Sequence, residues 1–138
     1  MLTYTDTFEG LTPADVRGFF VGWPNPPSEE TFLRILDGSD VIVLAIDDTT
    51  GHVVGFINAI TDGVLAAYIP LLEVLPEYQG QKIGTELVKR MLDKLEPYYM
   101  VDLVCDEPVV PFYQRFELPR ATAMAARRFD RQSGIPKR

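Results

Sequence analysis

The sequence is short of several residues that would indicate export or a membrane. Cys105 is the only cysteine among the 138 residues, so no internal disulfide can form, and we expect a reducing, cytoplasmic location. No apolar run reaches the roughly 18 residues of a membrane span. The N-terminal MLTYTDTFEG has neither a basic region nor an apolar stretch. We therefore expect an unexported protein that is not inserted into a membrane.

Basic residues are also in the minority. Lysine and arginine number 13 against 20 aspartate and glutamate residues, for a net charge of −7. A nucleic-acid surface needs clustered positive charge, so this balance argues against a nucleic-acid partner and mildly favours cationic acceptors.

Turn residues and hydrophobic periodicity predict one α+β domain over residues 1–138, with a loose tail from 131 onwards. The predicted helices cover 13–21, 28–38, the segment after Gly84, and 110–116. The predicted strands cover 2–7, 41–46, 53–60, 65–74 and 100–105, and 121–129 is predicted as a last strand or a hairpin. Residues 100–105 are nearly all apolar, which is typical of a buried central strand.

A glycine-bearing loop, residues 79–84, joins the predicted strand 65–74 to the following amphipathic helix. Backbone N–H groups at such a helix N-terminus can hold a phosphate. A tight turn with nothing bound is the alternative. The chain has no Gly-x-x-x-x-Gly-Lys-Ser/Thr motif, and an antiparallel hairpin precedes the loop, so neither a P-loop nor a Rossmann fold is indicated.

Two segments resemble one family. Residues 74–84, VLPEYQGQKIG, resemble the acetyl-CoA motif of the GNAT N-acetyltransferases, which reads Gln/Arg-x-x-Gly-x-Gly/Ala after a strand ending in Val. Gln79 fills its first position and Gly84 its last. Residues 105–116, CDEPVVPFYQRF, are similar to the final helix of the family, and locally to that of arylalkylamine N-acetyltransferases. Lys82 and Glu117 depart from the family pattern, because each stands where glycine is usual.

The resemblance implies a mixed, mostly antiparallel, twisted sheet with a central β-α-β crossover and about four flanking helices. It implies acetyl-CoA as co-substrate and no metal. The residues it assigns to acetyl-CoA are Leu72, Val74, Gln79, Gly80, Gln81, Lys82, Ile83, Gly84, Thr85 and Phe112. A lysine at a positive φ would be strained, although its ammonium could attract the pyrophosphate. Lys82 could therefore either support or disable CoA binding, and the sequence leaves both alternatives open.

By the same resemblance, Tyr113 is the acid that protonates the departing thiolate, and a backbone N–H near Val74 stabilises the oxyanion. A phenol with a pKa near 10 can donate at neutral pH, although aromatic packing is the alternative role for Tyr113. The base is open, because the two positions that often carry it in the family hold Pro70 and Tyr68. Glu73, Asp106 or a chain of water molecules could accept the proton.

The acceptor pocket implied by the family would be lined by Phe20, Trp23 and Tyr68, which favours a small primary amine with an apolar body. Hydrophobic packing beneath the proline-rich loop, residues 23–27, is an equal alternative for these aromatic residues. A homodimer is expected by analogy with the family. The alternative function is a non-catalytic, GNAT-like CoA sensor or protein-interaction module, which the departure at Lys82 favours.

Overall fold

Six strands form a mixed sheet in the computed structural model, which describes residues 1–136. The strands are β1 (Leu2–Thr5), β2 (Val41–Asp47), β3 (Val53–Thr61), β4 (Ala66–Ile69), β5 (Leu72–Val74) and β6 (Met100–Leu103). Their order is β1-β2-β3-β4-β6, with β5 also paired to β3, and all pairs are antiparallel except β4–β6. The predicted α+β class and mostly antiparallel sheet are confirmed.

Within residues 1–136 three α-helices accompany the sheet, where about four were expected: α1 (Glu29–Gly38), α2 (Ile83–Lys94) and α3 (Val110–Gln114). Short 3-10 turns cover Pro13–Val16, Pro76–Tyr78, Glu107–Val109 and Phe129–Arg131. α2 links β5 to β6, which lies parallel to β4, so the predicted β-α-β crossover is present. Within residues 1–136, no helix has the length and apolar character needed to cross a membrane.

The two faces of the sheet are covered differently. On one face α2 packs directly on Gly55, where an added Cβ would lie 3.1 Å from methyl groups of Ile83 and Leu87. On the other face four phenylalanine rings interlock edge to face at centroid distances of 4.6–5.3 Å; they are Phe19, Phe20, Phe32 and Phe56. This aromatic cluster joins α1 and the segment before it to the sheet.

The prediction of one strand over 65–74 is wrong, because the segment divides into β4 and β5. Tyr68 pairs with Ile60, but Leu72 pairs with Ile57, so this segment contains one more residue than β3 between the two pairings. Pro70 lies in the gap and has no N–H to give to a ladder. Asn58, which is 2% exposed, accepts a hydrogen bond from the N–H of Leu71 at 3.0 Å and so fixes the displaced chain.

The helix predicted over 13–21 is also wrong beyond its first turn. Thr12 and Asp15 form a capping box, but the turn ends at Val16. Gly18, Phe20 and Gly22 then adopt φ values of 90°, 62° and 82°, which a right-handed helix excludes. These three residues with positive φ prevent the helix from continuing to the proline-rich loop.

The C-terminal third departs most from prediction. β6 ends the sheet instead of lying inside it, and its residues alternate between exposed and half-buried. No strand forms over 121–129. Near the end of the described chain, the Ile135 carbonyl accepts a hydrogen bond from the Arg34 guanidinium at 2.9 Å. Residues 137 and 138 of the predicted tail lie outside the described residues.

Candidate active site

The loop between β5 and α2 is tied back to the sheet by side chains. The Gln79 amide donates to the carbonyl of Val74 at 3.1 Å, so the first motif residue closes the loop onto the end of β5. The Tyr78 hydroxyl donates to Asp47 at 2.6 Å, beside the turn that joins β2 to β3. These two bonds hold the loop in front of the first turn of α2.

The backbone N–H groups of this loop are available to a ligand. Among the described residues, no acceptor is bound by the N–H groups of Gly80 through Thr85. The groups at the helix start have no intrahelical acceptor by geometry, and they carry the positive end of the helix dipole. A run of free donors at the N-terminus of a twelve-residue helix suits a diphosphate.

Lys82 has the left-handed backbone that the motif glycine would supply. Its φ and ψ are 64° and 20°, and it forms the N-cap of α2 without a side-chain cap. Glu117, at the other family glycine position, has φ 62°. Each residue therefore carries the strain of a non-glycine residue in this region.

α3 forms the opposite side of the loop. A Cβ added to Gly84 would lie 3.7 Å from the Phe112 ring and 3.8 Å from a Val74 methyl group, so the three residues meet. The motif on β5–α2 and the motif on α3 thus converge, although 28 positions separate Gly84 from Phe112. Glycine keeps this junction open to a third group.

Arg115 is a site residue that sequence analysis missed. Its guanidinium donates to the Thr85 hydroxyl at 3.1 Å in the first turn of α2, and lies 5.1 Å above the Phe112 ring. It therefore adds a positive charge beside the free N–H groups. A signal was present in the sequence, since Arg115 stands three residues after Phe112 within the predicted helix 110–116, at a spacing that brings two side chains together.

β5 has one edge without a strand partner. Hydrogen bonds from Leu75 to Val54 at 2.9 Å and from Asn58 to Leu71 at 3.3 Å show which peptide groups face β3. Because peptide groups alternate along a strand, the N–H of Val74 faces away from β3, toward the gap where β5 diverges from β4. Leu72 shares this orientation.

Tyr113 lies on α3, packed against Phe112 at a ring distance of 5.0 Å. Burial, together with the neighbouring Cys105 thiol, raises the pKa of Tyr113 to about 12. The phenol is therefore protonated throughout the neutral range and able to donate.

Glu73 lies on the opposite face of the sheet from Val74, as strand alternation predicts. Its two carboxylate oxygens accept hydrogen bonds from the backbone N–H groups of Phe20 at 2.8 Å and Val21 at 3.2 Å. Phe20 has φ 62°, an outlier for a bulky residue. The carboxylate thus holds a strained turn in place.

The remaining predicted residues differ in how accessible they are. Phe20 is 4% exposed and packs against Trp23 at 4.9 Å, so it belongs to the core and has almost no surface for an acceptor. Trp23 is half-buried, and Tyr68 is 39% exposed on the same sheet face as Glu73. Asp106 is exposed after β6. No group of acidic, histidine or cysteine side chains in residues 1–136 is arranged to hold a metal ion.

Comparison with known proteins agrees with this geometry. A family model described as Acetyltransferase (GNAT) family matches residues 8–117. A candidate acetyltransferase from Deinococcus radiodurans is 54% identical, with TM-score 0.95, over 99% of this chain and 94% of that one. A GNAT family protein from Streptococcus pneumoniae is 32% identical, with TM-score 0.74, over 93% and 98%.

Among curated proteins, no sequence matches this chain. Glucosamine-6-phosphate N-acetyltransferase from Arabidopsis thaliana shares the fold at TM-score 0.69 and 19% identity, over 94% of this chain and 99% of that one.

Replacement of Lys82 by Gly is expected to raise the free energy of unfolding by about 0.5–1 kcal/mol, because relief of left-handed strain exceeds the entropy cost of glycine. Lys82→Ala is the matched control, since it removes the charge but keeps the Cβ. Urea unfolding of both variants measures the difference. Equal stabilities of the two variants would show that the Lys82 backbone carries no strain.

Replacement of Glu73 by Gln is expected to lower the free energy of unfolding by about 1–2 kcal/mol. The Gln side chain has only one oxygen that can accept a hydrogen bond, so its NH2 group would face the second backbone N–H, donor against donor. Glu77→Gln, in the exposed loop, is the control. A variant as stable as the parent protein would contradict a structural role for this carboxylate.

Proposed function

This chain belongs to the GNAT acetyltransferase family, and on that premise we propose that it transfers the acetyl group of acetyl-CoA directly to the primary amine of a small molecule. The observation that carries the proposal is the convergence of Val74 and Phe112 on Gly84, where an added Cβ would lie within 3.8 Å of both side chains, next to free N–H donors and a protonated phenol. This arrangement places a binding site for an anion next to a phenol that can donate a proton.

The residues present fit the pyrophosphate of acetyl-CoA. The N–H groups of residues 80–85 would hold its oxygens at the positive end of α2. Arg115 lies over the first turn of the helix and would add a guanidinium. Lys82 is exposed at the same turn, where its ammonium would face the phosphates. The thioester end would then extend along β5 toward Val74.

Acetyl-CoA supplies an activated thioester, whose carbonyl carbon is attacked by the lone pair of a neutral amine. The new carbon–nitrogen bond replaces the carbon–sulfur bond, the amine loses one proton, and the thiolate gains one. The Val74 N–H, on the open edge of β5, would stabilise the oxyanion. The Tyr113 hydroxyl would donate the proton that the thiolate takes up.

Glu73 is less suited than the other candidates to remove the amine proton, since both of its oxygens are engaged by backbone N–H groups. Asp106, which is exposed, or a chain of water molecules remains as the route to solvent. Turnover of Glu73→Gln distinguishes the roles: a base mutant loses turnover at unchanged stability, whereas a positioning mutant loses both.

The acceptor would lie on the sheet face that carries Tyr68 and the half-buried Trp23. Tyr68 is paired with Ile60 of β3, and because Ile60 is 52% exposed, an apolar surface is open there. This environment favours an amine with an apolar body. The amine would reach the thioester through the gap between β4 and β5.

Binding of CoA is the first test. Ligand at 100 times its dissociation constant is expected to stabilise the protein by about 2.7 kcal/mol, measured as a thermal shift. Release of free thiol from acetyl-CoA over a panel of primary amines then tests transfer. The absence of a shift at millimolar CoA would overturn the proposal, and a shift without thiol release would identify a CoA-binding module instead.

Replacement of Tyr113 by Phe is expected to lower kcat about 100-fold, because a positioned general acid contributes on this scale. The thermal shift by CoA should remain, since the phenol is not among the groups proposed to hold the phosphates. Tyr99→Phe is the control, because Tyr99 is 83% exposed. In the parent protein, with a Tyr113 pKa of about 12, ionisation of this phenol should cause no loss of rate up to about pH 10. Equal turnover of Tyr113→Phe and the control would remove Tyr113 as the acid.

A further inference from the structure

The sheet face opposite α2 carries an exposed apolar surface that contains one carboxylate. Ile60 of β3, Tyr68 of β4 and Asp102 of β6 occupy adjacent positions across three paired strands, because Tyr68 is in register with both of the others. Side chains at paired positions lie on the same face, on strands about 4.8 Å apart. Ile60 and Tyr68 are 52% and 39% exposed, and Asp102 is exposed as well. We call these three side chains the Asp102 row.

Burial along β6 shows that Asp102 points away from the core. Its neighbours Val101 and Leu103 pack against the core, whereas Met100 is 38% exposed and lies on the same side as Asp102. Asp102 is also the only charged residue in β3, β4 and β6. A single negative charge therefore lies within the apolar surface to which the acceptor amine was assigned.

The Asp102 carboxylate is free, unlike other carboxylates at this end of the sheet. Glu73 is engaged by two backbone N–H groups, and Asp62, in the turn before β4, accepts hydrogen bonds from three. Glu107 is paired with Arg120, but Asp102 has no ion pair within residues 1–136. An unpaired carboxylate beside an exposed aromatic ring suits a cation, since ion pairing and cation–π contact then act on the same group.

The Asp102 row lies within reach of the gap through which an amine would meet the thioester. Tyr68 and Leu72 stand on the two sides of this gap, four residues apart in the chain, so their Cα atoms are at most about 14 Å from each other. A ligand that contacts Asp102 at one end and presents a nitrogen at the gap therefore needs a chain of several carbon atoms between its two ends.

We propose that the acceptor is a diamine whose second ammonium binds Asp102 and the Tyr68 ring. The nitrogen at the gap attacks in its neutral form and gains the new carbon–nitrogen bond, while the far nitrogen keeps its proton and its positive charge. The chain between them lies on the apolar surface around Ile60. The net charge of −7 favours a ligand with two positive charges. This inference rests on the proposed acetyl transfer for its reaction, but binding of the diamine can be measured without transfer.

Octylamine and diaminooctane test the second charge, because they differ only at the far end of the chain. Asp102→Asn is expected to raise the KM for diaminooctane about fivefold, the scale of an exposed ion pair with a cation–π contact, and to leave kcat unchanged. The KM for octylamine should not change. Asp93→Asn is the matched control, since Asp93 is exposed on α2 and the variant loses the same charge. Asp102→Glu keeps the charge and should keep the preference for the diamine.

Calorimetric titration of the protein with each amine, with and without CoA, measures binding where no transfer is needed. Weaker binding of diaminooctane to Asp102→Asn, by about fivefold, supports the proposed role of Asp102. If that difference is found but no amine releases thiol from acetyl-CoA, the proposed acetyl transfer fails and the diamine site stands. Diaminooctane that does not bind the parent protein, or binds it and Asp102→Asn equally, would contradict the inference. So would an equal loss of affinity for octylamine. Circular dichroism of each variant checks that it is folded.

Discussion

β4 and β5 both pair with β3 but separate from each other, and the candidate site depends on this separation. β3 is a single long strand, but the segment antiparallel to it contains one extra residue at Pro70 and Leu71. Asn58, buried in β3, compensates by binding the Leu71 N–H, and its own amide donates to Ser39 at 3.0 Å at the end of α1. These bonds satisfy the buried Asn58 amide, which would be costly to leave without partners. The open edge of Val74 and the placement of Glu73 both follow from this arrangement.

Strain is concentrated around the same edge. The three non-glycine residues with positive φ in the described chain are Phe20, Lys82 and Glu117. Phe20 is held by the Glu73 carboxylate, Lys82 begins α2, and Glu117 follows α3. Non-glycine residues with positive φ persist only where neighbouring groups hold them, and such positions cluster at functional sites. Glycine occupies other turns of this chain, but Lys82 stands at the motif position where glycine is usual in the family. The substitution places a positive charge at that position.

Local patterns predicted the elements whose partners are close in sequence. The β2–β3 hairpin, the start of α1 and the amphipathic pattern of α2 depend on turn and periodicity rules that act over a few residues. The bulge at Pro70 was missed because it depends on the buried amide of Asn58, 12 positions away in sequence. The motif positions from Gln79 to Gly84 could be named in advance, whereas the roles of Glu73 and Arg115 required distances between segments remote in sequence.

The last part of the chain shows where strand patterns are ambiguous. Residues 100–105 have the apolar pattern of a central strand, but β6 lies at an edge of the sheet, and its side chains alternate between exposed and half-buried. Residues 121–129 were predicted as a last strand or a hairpin, but they contain no strand. Strand propensity reflects packing against neighbouring strands more than a preference of the backbone itself. A run of four to six residues therefore cannot indicate how many neighbours its strand has, and for β6 that depends on its parallel pairing with β4, a segment about 34 positions earlier in the sequence.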